Sequence, residues 1–337
     1  MQIQTSVEDD PMELRKIQET KGGTFFVTLP KDWALNIGIT KGSVVSTSVG
    51  SNGRLVVDPR YNLEPTPRTA TVRPSPYLSR EIIGKYLLGY DIIRVEAKDR
   101  ITMDQRRIVK EATRRLVGLE IVEEDQVNIV VRCFVPPSAF PPEGTLRYEH
   151  SLASSMLRDA VISMIEGDTQ LARQVVARDN EVDRQYFLLV RILRTIIQNP
   201  SLSEKLGLHP IDCLDYRLTA SLVESVADQS SQIGEHTVRL EGTRLDGDIA
   251  RSLSDLNKVA YESYTDALAA FFSRNISMAE SVREKREVVE EMERNLESAC
   301  STLSMNIAQT LTSVVSIIQR IYDYSVDISD LTTPRVR

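Results

Sequence analysis

The chain has 337 residues, which is long for one hydrophobic core, so two or three domains are expected. With 41% hydrophobic and 26% charged residues, a formal net charge of -7 and a pI near 5.3, it has an ordinary globular composition and is not a protein that coats nucleic acid non-specifically. The three cysteines, Cys133, Cys213 and Cys300, form no CxxC pair, which argues against a thiolate zinc site or a disulfide framework and suits a reducing compartment. No apolar run approaches the ~20 residues of a membrane span. The first eleven residues also lack the basic and apolar regions of a secretion signal, so a cytoplasmic protein is expected.

Residues 11–60 read as short strands and turns. Strand-forming stretches at Leu14–Ile17 and Thr24–Leu29 flank the turn Lys21-Gly22-Gly23, and Pro30 ends the second because it has no N–H to donate. Lys31–Ile37 suits a short helix, and strands Ser43–Val49 and Leu55–Val57 are joined by Gly50-Ser51-Asn52-Gly53, a hairpin signal. Arg15-Lys16-Ile17, Gly23-Thr24, Val27-Thr28-Leu29-Pro30-Lys31, Gly38-Ile39, Lys41-Gly42 and Gly53-Arg54-Leu55-Val56-Val57 resemble the AbrB/MazE/SpoVT swapped-hairpin family. That resemblance implies a homodimer built by interleaved hairpins. It also implies contact with DNA, for which Arg15, Lys16 and Lys21 are the candidates. The segment departs from the family at Ala34-Leu35, where such binders often carry an arginine pair. Seven positive and seven negative side chains in residues 1–62 cancel, so any duplex binding is expected to be weak and salt-dependent.

Residues 66–136 alternate strand and helix and suggest a small α/β domain. The expected elements are a strand at Thr69–Val72, a helix at Ser79–Leu88, a strand at Asp91–Glu96, a helix at Met103–Val117, and strands at Leu119–Val122 and Val127–Val131. Arg106, Arg107, Lys110, Arg114 and Arg115 cluster on the second helix and read as a solvated face with i,i+4 partners. Proline-rich Pro136–Gly144 then breaks regular structure and is the expected domain boundary.

Residues 145–332 show apolar spacing of three and four throughout, with breaks at Gly167-Asp168, Asn199 to Pro210, Gly242 to Gly247 and Asn275. The segment repeats itself. Leu157-Arg158-Asp159-Ala160 returns as Tyr264-Thr265-Asp266-Ala267, Val182-Asp183 as Val289-Glu290, and Glu224 to Asp228 as Gln319 to Asp323. Two three-helix units, residues 145–242 and 246–332, would hide each other's apolar surface in a six-helix bundle.

Acids recur inside the repeats. Asp179 and Asp183 are i,i+4 on one helix, and Glu224 and Asp228 are i,i+4 on the next. Like charges at this spacing destabilise a helix by a few tenths of a kcal/mol. Exposure to water offsets that, and a hard cation such as magnesium, calcium, manganese or iron offsets it better.

Asp179-Asn180-Glu181-Val182-Asp183 and Glu224-Ser225-Val226-Ala227-Asp228 match the (D/E)xxxD pattern of the phosphate-uptake regulator family PhoU, and Ile233-Gly234-Glu235 fits its continuation. The resemblance covers residues 145–332. It implies that these carboxylates bind a divalent or iron-type metal ion, and that the protein is no enzyme but a regulator linking phosphate status to transport or transcription, with a transporter or sensor at the membrane as partner. Together with the AbrB-like N-terminus, the whole resembles archaeal phosphate regulators. In the second repeat only Glu290 and Asp323 match, beside Arg286 and Gln319, so metal is expected to favour the first repeat. His236 is a candidate further ligand. One rival reading is a DNA-binding transcription factor with a helical sensor. Another is a di-metal carboxylate enzyme, but that class requires Glu-x-x-His pairs, and none occurs among these acids.

Overall fold

The computed structural model describes residues 13–49, 53–59, 67–241, 243–245 and 247–334. The chain divides into two compact units, residues 1–66 and 67–337.

In the first unit, β1 (Gln18–Glu19) pairs antiparallel with β2 (Phe25–Phe26), α1 spans Lys31–Asn36, and β3 (Ser46–Val49) pairs antiparallel with β4 (Leu55–Asp58). The first strand lies at Gln18–Glu19 rather than at the expected Leu14–Ile17. The turn from Thr20 to Thr24 fixes that register, with the Thr24 N–H donating to the Thr20 hydroxyl and the Thr20 N–H to the Thr24 carbonyl. No described residue of this unit is buried, and Leu14, Ile17, Phe25, Leu35, Val44, Val49 and Leu55 are all exposed.

The second unit begins with a sheet in the order β5-β6-β8-β7, formed by β5 (Thr69–Val72), β6 (Ile92–Glu96), β7 (Leu119–Glu124) and β8 (Asn128–Cys133). β5 and β6 are parallel, and the other two pairings are antiparallel, with a register shift between Ile121 and Glu123. Helices α2 (Leu78–Leu87) and α3 (Met103–Arg114) cover one face, burying Leu78, Ile82, Tyr86 and Val109 against Ile93, Val95 and Val131. Thr102 and Gln105 form a reciprocal capping box that starts α3.

The helical part follows. α4 (Pro142–Glu166) ends at Gly167, whose φ of 69° is a left-handed cap that glycine adopts without strain. Asp168 then caps α5 (Thr169–Gln198) by accepting from the Gln170 and Leu171 N–H groups. Short α6 (Pro200–Leu206) occupies the break expected after Asn199, and α7 (Asp212–Arg239) completes the first repeat. The second comprises α8 (Gly247–Ser273), α9 (Ile276–Arg283), α10 (Arg286–Cys300) and α11 (Met305–Asp330). Its middle helix is interrupted at Glu284-Lys285, where neither glycine nor proline gives a sequence signal. One apolar core runs through both repeats, from Leu157, Val182 and Val226 to Tyr264, Val289 and Ile321. The internal symmetry extends to ion pairs. Arg178 meets Asp159 at 2.6 Å in the first repeat, and Lys285 meets Asp266 at 3.4 Å at the equivalent place in the second. Cys133, Cys213 and Cys300 are buried and unpaired.

Pro136–Gly144 does not separate two bodies as its composition suggests. It holds a single 3-10 turn at Pro137–Ala139, and α4 already begins at Pro142. The α/β layer and the bundle share one compact unit because α5 carries a docking stripe for the layer. On one face of α5, Asp183 meets Arg115, Phe187 packs on the α/β core, fully buried Arg191 binds the α2–β6 corner, and Gln198 accepts from Arg68. The Arg191 guanidinium donates to the carbonyls of Tyr86 at 2.8 Å and Tyr90 at 2.7 Å, and to the Asp91 carboxylate at 2.8 Å.

Candidate metal centre

The acids predicted from sequence come together on α5 and α7. The two helices run antiparallel and approach closely at Gly234, where an added Cβ would lie 2.9 Å from the Ala172 carbonyl oxygen and 3.2 Å from Val176 Cγ2. Further along the same seam stand Asp179 and Asp183 on α5 and Glu224 and Asp228 on α7, all half-buried. Partial burial and repulsion within the cluster penalise ionisation of three of them. Desolvation first, then Asp228, Asp183 and Glu235, pushes Asp179 up to about 6. Desolvation and then Asp228, Asp183 and Asp179 push Glu224 up to about 7, against a lowering pull from Arg217. Asp228 is raised by desolvation and by Asp183. Four neighbouring carboxylates, with Asp179, Glu224 and Asp228 disfavoured as anions, are a hard, oxygen-rich donor set that suits a di- or trivalent cation.

The set is not a finished coordination shell. Among the described residues, no three His, Cys, Asp or Glu side chains are arranged to hold a metal ion. Asp183 is engaged elsewhere, accepting at 3.0 Å from Arg115 at the end of α3, whose guanidinium also lies 5.7 Å from the Phe187 ring. A metal would therefore require these side chains to regroup.

Several participants escape a reading of spacing alone. Arg115, expected on a solvated face, crosses to α5. Its neighbours also find partners off the helix, Arg106 at Glu124 and at the Asp125 carbonyl, and Lys110 4.0 Å from Glu124. Glu149 on α4 is fully buried, and neither of its carboxylate oxygens has a protein partner among the described residues. Desolvation, with Glu224 adding to it, holds Glu149 well above the usual carboxylate range, which favours its neutral form. A charged residue within the apolar stripe Leu146, Ala153, Met156 and Leu157 is the sequence signal that identifies it.

His236 does not join the acids. Twelve residues beyond Glu224, at ~100° per residue, it lies about a third of a turn away around α7, and its charged neighbours are Arg239 and Glu235. Desolvation, with Arg239 adding to it, lowers its pKa. In the second repeat, Arg286 occupies the place equivalent to Asp179 and meets Asp323 at 3.2 Å, while Glu290 stands 4.0 Å from Arg294. Glu293, not expected from the pattern, is raised by desolvation and by Glu297, Asp323 and Glu290. There the positive charge is built into the helix itself.

Residues 147–237 and 253–332 each match the PhoU domain, and together the two matches take in half of the chain. The chain belongs to the PhoU domain family. Its two PhoU repeats coincide with the two helical repeats of the fold. A relative from Rhizobium meliloti (strain 1021), called "Phosphate-specific transport system accessory protein PhoU homolog", is 24% identical over 190 residues, which are 53% of this chain and 77% of the relative. A second, of the same name, from Aquifex aeolicus (strain VF5), is 30% identical over 93 residues, 27% of this chain and 42% of that protein. The crystal structure of PhoU from Pseudomonas aeruginosa superposes with a TM-score of 0.52 at 16% identity, covering 58% of this chain and 95% of that one, which establishes a shared PhoU fold.

The raised carboxylates give the metal-free protein a characteristic pH response. Asp179, at about 6, and Glu224, at about 7, lie above the ordinary values of ~3.9 and ~4.3, so between about pH 4 and pH 7 the folded state holds more protons than the unfolded one. The stability these groups contribute is complete below about pH 4 and is lost as pH rises through 6 and 7. In thermal melts with chelator present, wild type is expected to lose stability between about pH 4 and pH 7 relative to Asp179→Asn with Glu224→Gln. Parallel pH profiles for the two proteins would contradict the assignment.

Proposed function

We propose that this protein is a non-enzymatic phosphate-uptake regulator whose first PhoU repeat binds a divalent or iron-type metal ion through Asp179, Asp183, Glu224 and Asp228. The carrying observation is the α5–α7 seam, where four half-buried acids come together and burial with mutual repulsion raises Asp179, Glu224 and Asp228. The names of the two relatives support the phosphate-transport reading. Among the described residues no helix is long and apolar enough to cross a membrane. A membrane transporter or sensor would be a separate partner. Occupancy by the ion would set the surface offered to that partner, in response to phosphate status and with consequences for transport or transcription.

The test is metal content and affinity in two double variants. Asp183→Ala with Asp228→Ala is expected to abolish most bound metal, measured by elemental analysis and by titration with Mn2+. Glu290→Ala with Asp323→Ala should change it little, because Arg286 already neutralises Asp323. Mn2+ should also raise the melting temperature of wild type with its concentration, since it binds only the folded state. Equal, small effects from both double variants would return the acids to a solvated face.

For the N-terminal unit we propose homodimerisation. It has no buried described residue of its own, and its exposed apolar side chains lie beside two-stranded ribbons with open edges, which another copy can cover. DNA contact through Arg15, Lys16 and Lys21 is the weaker reading: all three are exposed, but Arg15 is already paired with Glu13 at 2.5 Å. A chain beginning at residue 67 keeps the second compact unit intact and should lose this dimer contact. The same number of subunits per particle for the full and shortened chains, by light scattering, would rule it out.

A further inference from the structure

We infer that Arg115 is the resident counter-ion of the first-repeat acid cluster, and that metal binding there competes with the hold of α3 on α5. This inference rests on the metal reading above and adds what the α/β layer does with it: it reports occupancy.

Three observations carry it. Arg115 is the only Lys or Arg of the α/β layer with an ion pair recorded to one of the four acids, at 3.0 Å, and the acid is Asp183, which couples electrostatically to Asp179, Glu224 and Asp228. The second repeat shows the same arrangement with a different origin. There Arg286, on the bundle helix itself, places its guanidinium 3.2 Å from Asp323, so the positive charge stays with the bundle. In the first repeat the guanidinium comes from another layer, so it can leave. Finally, the contacts of the layer with α5 differ in strength along the docking stripe. Arg191 is 1% exposed and makes three hydrogen bonds at the α2–β6 corner, whereas the Arg115 side chain is 45% exposed and sits where α3 ends.

An arginine and a divalent ion satisfy the same need of Asp183, but a carboxylate drawn into a metal shell no longer meets a guanidinium, and the two cations repel at this distance. Binding of the ion then frees the C-terminal end of α3, while Arg191 keeps the rest of the layer in place. The released end carries Arg114 and Arg115, while Arg106 and Lys110 stay on Glu124, so the exposed basic charge at this end changes with occupancy.

The experiment uses the full chain, with Mn2+ as probe, and follows affinity by titration calorimetry and amide exchange by mass spectrometry. In wild type, saturating Mn2+ should speed exchange across residues 103–118. Arg115→Gln should exchange rapidly there with or without the ion, and should bind Mn2+ roughly fivefold more tightly, the loss of one half-exposed ion pair. Arg217→Gln removes another cation near Glu224 from α7. It should also tighten binding, but should leave exchange in residues 103–118 as responsive as in wild type. If Mn2+ binds and wild-type exchange in this segment stays flat, or if Arg115→Gln binds no more tightly than wild type, the competition is wrong and the metal site stands. If neither protein binds Mn2+, both readings fall together.

Discussion

Replacing Arg191 with methionine should lower stability by about 3–5 kcal/mol, the range for breaking a buried charged pair. Methionine keeps the aliphatic volume but removes all three donors. Two main-chain carbonyls at Tyr86 and Tyr90 would then lose their bond to Arg191, and Asp91, about a third exposed, would lose its partner. The guanidinium also lies 4.9 Å from the Tyr86 ring, a contact the thioether replaces only in part. At 2–4 °C per kcal/mol for a unit of this size, the melting temperature should fall by roughly 10 °C. Exchange should rise first at residues 86–91, at the corner the arginine held. A variant melting within a degree of wild type would show that the layer is held by apolar contact alone.

Gly234→Ala should destabilise the protein by about 1–3 kcal/mol, and here two effects oppose each other. Alanine in a helix interior is favoured over glycine by ~1 kcal/mol, which predicts a gain. Against it, the new Cβ would meet the Ala172 carbonyl oxygen at 2.9 Å and Val176 Cγ2 at 3.2 Å. Helix backbone cannot swing aside like the tip of a side chain, so α7 must move away from α5, and overpacking of this kind outweighs the propensity. Gly84 in α2 is the control, because a Cβ there meets nothing within 4 Å and Gly84→Ala should stabilise by roughly 0.5–1 kcal/mol. Moving the helices apart also spreads Asp179 from Asp228, so Gly234→Ala should weaken Mn2+ binding while Gly84→Ala leaves it unchanged. Stabilisation by both alanines, measured by chemical denaturation, would mean that the close approach has no energetic consequence.

By itself the sequence determined the local periodicities and their repetition. Period-three-and-four apolar spacing over residues 145–332, Gly167-Asp168 and Asn275 as punctuation, and the echo of Asp159 in Asp266 are properties of neighbouring residues, and the helices and repeats follow them. The pairing of Asp179 with Asp183 and of Glu224 with Asp228 was legible for the same reason, since i and i+4 share a helix face wherever the helix lies. Contacts between elements distant in the chain were not legible. Arg115 belongs to a run of five basic residues whose members look alike until the fold places one beside Asp183 and the next-but-four against Glu124. The proline-rich stretch at 136–144 looks like a domain boundary because backbone chemistry there forbids regular pairing, yet a stripe on α5 some fifty residues later, with Arg191 buried in it, joins the layers on either side. Burial of charge is likewise a tertiary decision. Glu149 is raised well above the usual carboxylate range, and Asp179, Glu224 and Asp228 are raised with it, only because packing of α4, α5 and α7 takes them partly out of water and beside one another.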